Sequence, residues 1–212
     1  MRVMLLGATG LVGGHVLQEL LRDDRCSAVV APTRRPLPVV DGRLDNPVLD
    51  FEQLPGVAPW WAVDAVICAL GSTMAQAGSR EAFRRIDHDY PLAFAGQAQA
   101  HGAGCFVLNS ATGANPRSWF FYNRVKGELE QDLRALDFDS LTLVRPGLIG
   151  GERAQRRAGE HLASKVLGVL GPVLPRRYRI NPAEVIARAM VEAAIAAVPG
   201  ERIIGAEQLA RA

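Results

Sequence analysis

A chain of 212 residues, 49% of them hydrophobic, carries enough apolar material for one full-sized core. Its net charge of +2 is too mild to imply a hold on nucleic acid. No apolar run approaches the roughly eighteen residues that a bilayer span requires, which argues against stable membrane insertion.

Taken in chain order, short apolar runs alternate with helical patterns. Residues 2–6 read as a strand and 11–21 as a helix with Val12, Val16, Leu17 and Leu20 along one side. Further strands are expected at 27–31, 47–51 and 65–70, followed by a long helical region over 79–101. A fifth strand falls at 105–108, a helix striped by Val125, Leu129, Leu133 and Leu136 at 122–136, and a sixth strand at 141–144. The strands are apolar nearly throughout instead of alternating, which implies helices covering both faces of a parallel sheet. Strand–helix alternation of this kind predicts a doubly wound, three-layer α/β/α domain over the whole of 1–212.

The texture changes after Gly147. Residues 150–179 hold seven Lys and Arg against two Glu, interleaved with Leu162, Val166, Leu167, Val169 and Leu170. This variable C-terminal segment fits a substrate lid, a dimer face, a membrane-surface helix, a site for an acidic substrate or simply a solvated surface. Asn181-Pro-Ala-Glu then suggests a capped helix start, with Asn181 as cap, Pro182 in the first turn and Glu184 closing the box. Pro199–Gly200 stops that helix, and 202–204 return as an edge strand.

The first turn, GATGLVGG, spaces Gly7, Gly10 and Gly13 three apart between strand and helix. In a parallel α/β domain that turn faces the ligand crevice. Gly7 allows the tight turn, Gly10 the approach of a diphosphate and Gly13 the packing of helix on strand. With Thr9, Leu11 and Val12 they make a candidate phosphate cradle on the helix N-terminus. The second strand ends in Thr33, Arg34 and Arg35 without an acid, so the two arginines point to the 2′-phosphate of NADP(H) in preference to NAD(H). Asp50 and Phe51, ending the third strand, are placed to meet the adenine edge, the alternative being an ordinary strand-end acid.

Tyr122 and Lys126 stand four apart on the helix after the fifth strand and so share a face. A neighbouring ammonium favours the phenolate and fits the phenol to protonate a carbonyl oxygen. The same lysine can hold the nicotinamide ribose, and Ser110, at the ligand-facing end of the fifth strand, can orient the substrate oxygen. Thr112 is the alternative hydroxyl. Asp87, His88, Asp89 and Tyr90 read as structural and not as a metal site, since one histidine with adjacent acids does not converge. Trp119–Phe121 fits either pocket lining or, more readily, core. Trp60 and Trp61 read as packing under a loop.

GATGLVGGHVL, the RR after the second strand, LDFEQL, CALGST, AGSREAFRRIDHDY, SATGAN, YNRVKGELE and VRPGLIG together resemble the short-chain dehydrogenase/reductase superfamily in its atypical, extended-like division. Within it they are similar to the oxidoreductases related to the Tat-interacting tumour suppressor and their bacterial relatives. The resemblance spans 3–150 and is loose beyond it. It implies an NADP-binding Rossmann fold with Ser110, Tyr122 and Lys126 as catalytic set. It also implies that Ala69, Leu70 and Gly71 lie under the cofactor ribose and that Pro146, Gly147 and Leu148 border the nicotinamide. The expected function is an NADP(H)-dependent oxidoreductase of a small carbonyl or alcohol. The alternatives are an NADPH-sensing binding protein, or an epimerase, dehydratase or isomerase with tightly held cofactor. A small molecule is the expected partner, and a homodimer a possible assembly. Cys26, Cys68 and Cys105 lack pairing and metal spacing, and the first strand starts at once, so a reduced, cytoplasmic setting without a signal peptide is expected.

Overall fold

The computed structural model describes residues 1–150 and 180–210. The basic, apolar 151–179 stretch therefore lies outside the described residues. The chain opens with β1 (Arg2–Leu6), α1 (Leu11–Arg22), β2 (Ala28–Val30), β3 (Leu44–Asp45), a short 3-10 turn (Pro59–Trp61) and β4 (Ala65–Cys68). Then come α2 (Met74–Ala77), α3 (Arg80–Arg84), a π-helical turn (Arg85–Asp89), α4 (Tyr90–Ala100), β5 (Cys105–Asn109), α5 (Phe121–Arg134) and β6 (Ser140–Arg145). β7 (Leu148–Gly150), β8 (Ile180–Pro182), α6 (Ala183–Ala196), β9 (Gly200–Gly205) and α7 (Ala206–Leu209) complete the described residues.

Seven strands form one sheet in the order β3-β2-β1-β4-β5-β6-β9, and every neighbouring pair is parallel. Parallel strands need crossover connections, and the right-handed crossover leaves helices on both faces. The core divides accordingly. Val3, Leu5, Val29, Ile67 and Val107 pack with α1 and α6 on one side. Met4, Leu6, Val66, Phe106 and Leu108 pack with Trp61, Phe94, Leu129 and Leu133 on the other. Adjacent residues of one strand thus bury against opposite layers, which is why these strands read as unbroken apolar runs. The order reverses between β1 and β4, and this is the crevice where such sheets bind ligands.

Two expectations need correction. The third strand pairs at Leu44–Asp45 and not at 47–51, although backbone bonding to β2 resumes where Thr33 N–H donates to Pro47 O and Leu49 N–H to Thr33 O. The break falls at Asn46, whose side-chain amide turns inward to donate to Ala31 O and Thr33 Oγ1. The 79–101 region is helical as expected, with a π turn widening it in the middle. Asn181 does not cap α6: its fully buried side chain accepts from Gly147 N–H at 2.8 Å and donates to Ala206 O at 3.1 Å. Pro182 takes the cap position instead.

Candidate active site

The first turn is built by close approach. Gly7 lies at φ 86°, and a Cβ there would stand 2.7 Å from the backbone of Ala69 and Leu70 as the chain leaves β4. A Cβ on Gly13 would overlap the carbonyl oxygen of Gly7, so α1 rests directly on the turn. Gly10 N–H donates to Gly7 O at 2.8 Å, and Gly10 caps α1 with no side-chain bond. Thr9 and Gly10 are exposed, Leu11 is half-buried, and Val12 and Gly13 are buried. The N-terminus of a twelve-residue helix whose cap residue offers no side-chain bond suits an anion. These residues fit a diphosphate.

At the far end of β2, Arg34 and Arg35 are exposed while Thr33 is buried, donating to Arg35 O at 2.7 Å. Asp50 is exposed and accepts from Glu52 N–H in a local turn. Phe51 is different. Its ring is buried, meeting Phe94 edge-on at 5.0 Å and Tyr90 at 5.7 Å, so its side chain serves the core.

On the other side of the crevice, Tyr122 begins α5, 38% exposed, its ring 5.6 Å from Phe83. One turn on, Lys126 is only 4% exposed, and its Nζ stands 2.8 Å from Asp87 Oδ1 in the π turn. The other Asp87 oxygen accepts from Ser72 N–H at 2.8 Å. A Cβ on Gly71 would come within 3.1 Å of Asp87 Oδ1 and 3.6 Å of Lys126 Nζ, so this exposed loop covers the ion pair. Burial pushes the Asp87 carboxyl up against the pull of Lys126. Burial also works to lower Lys126, but Asp87 first and then Tyr122 outweigh it and hold the ammonium above its ordinary value.

Ser110 and Thr112 follow β5 and differ in setting. Ser110 is buried and donates its hydroxyl to Glu130 Oε1 at 2.6 Å. Glu130 is itself buried and gripped in a fork by Arg145, with Nε at 2.9 Å. The Ser110 proton is therefore committed inward, away from solvent. Thr112 is exposed, its hydroxyl donating to Arg145 O at 3.0 Å. Pro146 is buried and accepts from Thr112 N–H, Gly147 is fastened to Asn181, and Leu148 is exposed in β7.

Trp119 and Phe120, expected chiefly in the core, are 97% and 75% exposed beside Tyr122. Phe121 alone of that run turns onto other side chains, between Arg80 and Arg124 and near Phe83. Trp61 is fully buried and donates to Pro55 O, as packing under a loop requires. Glu130 and Arg145 are not singled out by the sequence, where Asp87 and Asn181 read as a structural residue and a helix cap. Each is a polar residue on an otherwise ordinary element, and its partner lies on a different one. The buried polar role expected for the Asp87–Tyr90 cluster holds for Asp87 and for His88, whose ring nitrogens face Asp89 and Asp132 at 2.8 and 2.9 Å. Among the described residues no His, Cys, Asp and Glu gather as a metal site.

No family model matches the chain. Protein fmp52 of Aspergillus niger is 35% identical over 98% of this chain and 92% of its own length. Protein HTATIP2 of Rattus norvegicus is 38% identical over 89% of this chain and 79% of its own. The chain belongs to the HTATIP2/fmp52 family. Its described residues form a Rossmann fold. Solved structures share that architecture at low identity. MoeE5, solved with UDP-glucose and NAD, matches at TM-score 0.74 and 19% identity over 97% of this chain and 76% of its own. UDP-glucose 4-epimerase of Thermotoga maritima matches at 0.69 and 14% over 100% and 81%. The family relation also corrects the expected cytoplasmic setting, since the fmp52 relatives are named as mitochondrial. Buried, unpaired thiols at Cys26, Cys68 and Cys105 do not tell one reducing compartment from another.

Proposed function

We propose that this member of the HTATIP2/fmp52 family is an NADP(H)-dependent oxidoreductase acting on a small carbonyl or alcohol. One run of contacts carries the reading: Gly7 lies against Ala69 and Leu70, and the next residue, Gly71, lies against Lys126. The phosphate turn and the Tyr122–Lys126 helix thus meet along one short loop, at the reversal of strand order.

The glycine-capped start of α1 would hold the diphosphate, Arg34 and Arg35 the 2′-phosphate, and the loop of Ala69, Leu70 and Gly71 the ribose. When bound, the nicotinamide supplies or takes the hydride. Tyr122, at the exposed start of α5, donates its proton to the substrate oxygen as charge builds there. The Lys126 ammonium one turn below favours the phenolate that remains. Thr112 serves better than Ser110 as the orienting hydroxyl, because an exposed hydroxyl exchanges partners cheaply while Ser110 would have to abandon Glu130. Pro146, Gly147 and Leu148 would wall the nicotinamide side.

A thermal-shift titration tests the cofactor half: NADP(H) should stabilise the protein at much lower concentration than NAD(H). Equal response to both, or none, overturns it. For the chemistry, Tyr122→Phe should keep cofactor binding while turnover of aldehydes, ketones or quinones falls about 100-fold or more. Unchanged turnover removes Tyr122 as the acid.

A further inference from the structure

Lys126 is asked to be a cation in a place that water does not reach. At 4% exposure beneath the Gly71 backbone, an ammonium without a counter-charge sheds its proton instead of staying charged. Three titratable side chains bear on it among the described residues: Asp87 from the π turn, Tyr122 from its own helix and Cys68 from the end of β4. Cys68 is pushed up to about 11 by burial, so it is a neutral thiol at physiological pH. Tyr122 is neutral whenever it holds the proton it is to donate. Asp87 remains as the anion.

Its placement follows from the local fold. A π turn inserts one extra residue into a helix, and here the widened turn seats two successive polar side chains against α5, Asp87 on Lys126 and His88 on Asp132. Asp87 is 1% exposed, and its second oxygen is tied to Ser72 N–H. One carboxylate therefore grips both the lysine and the loop lying over it.

We propose that Asp87 is a positioning residue for the Tyr122–Lys126 pair: it is the counter-ion that lets Lys126 remain charged in a dry site and fixes it under the Gly71–Ser72 loop. The use made of that charge rests on the oxidoreductase reading; the ion pair does not. Removing the carboxylate turns Lys126 into a neutral amine near neutral pH. It then no longer favours the Tyr122 phenolate, and its grip on a ribose hydroxyl weakens.

The chain has only two lysines, Lys126 and Lys165, so a protein labelled with carbon-13 at the lysine ε-carbon yields two resonances, assigned with Lys165→Arg. Titrated without cofactor, wild-type Lys126 should deprotonate above the ordinary lysine range. In Asp87→Asn its midpoint should drop by about four units, toward neutral pH, while Lys165 stays put, and Asp87→Glu should restore most of the drop. A Lys126 midpoint unchanged in Asp87→Asn overturns the proposal. If that variant does not fold, the wild type decides. Its Lys126 resonance should move as Asp87 takes up a proton, above the usual aspartate range, and a resonance unmoved across the acid titration also overturns it. Loss of the NADP(H) thermal shift would sink the oxidoreductase reading and leave these titrations as they are.

Discussion

Glu130 shows how far a side chain's meaning depends on what the fold brings to it. On α5 it reads as one more carboxylate of a charged helix, yet it is buried and holds Ser110 and Arg145 together. Glu130→Ala should cost about 3 kcal/mol in a denaturant titration, because a partly buried guanidinium and a buried hydroxyl lose their acceptor at once. Ser110→Ala should cost only about 1 kcal/mol, since Arg145 still satisfies Glu130. Tyr90 offers a test in alkali. Burial first, then its hydrogen bond to Glu52 Oε1, pushes the phenol from 10.0 to about 12. A folded value above the unfolded one means stabilisation that is complete below pH 10 and lost as pH rises through about 12. The absorbance titration of phenolate should therefore lose its step near pH 12 in Tyr90→Phe.

The elements were legible where one physical cause dominated. β1, α1, β5, α5 and β6 lie within a residue or two of their expected ends, because apolar periodicity and turn residues agree there. β3 was displaced because Val48 and Leu49 look like a strand, whereas backbone pairing with β2 is set by where Asn46 turns inward. The π turn had no signal, since the partners that Asp87 and His88 meet from it, Lys126 and Asp132, lie on α5. Within α1, two neighbouring glycines make a paired test. Gly13→Ala should destabilise by about 3 kcal/mol, its methyl driven into the Gly7 carbonyl. Gly14→Ala meets only Ala8 O at 3.8 Å and should stabilise by up to about 1 kcal/mol through helix propensity. Denaturation midpoints of the two variants moving the same way would refute this packing of α1 on the turn.

Across the molecule, Asn181 fastens the strand that precedes α6 to the exit of β6 and to α7. Asn181→Ala should cost about 2 kcal/mol, leaving the half-buried Gly147 N–H without its acceptor, while Ala206 O keeps only its bond from Ala210 N–H. Hydrogen exchange should locate the loss at Gly147 and α7 and spare β1 and β4. The doubly wound parallel sheet, the glycine turn and the Tyr122–Lys126 spacing could be read from the chain alone, because each depends on residues close in sequence and on a period that a strand or helix imposes. The partners of those residues could not. Asp87 under Lys126, Glu130 behind Ser110, Asn181 beneath Gly147 and the exposure of Trp119 and Phe120 each depend on which surfaces meet once the layers close. A buried charge or amide is satisfied by whatever the packing brings within about 3 Å, and no local pattern encodes that distance.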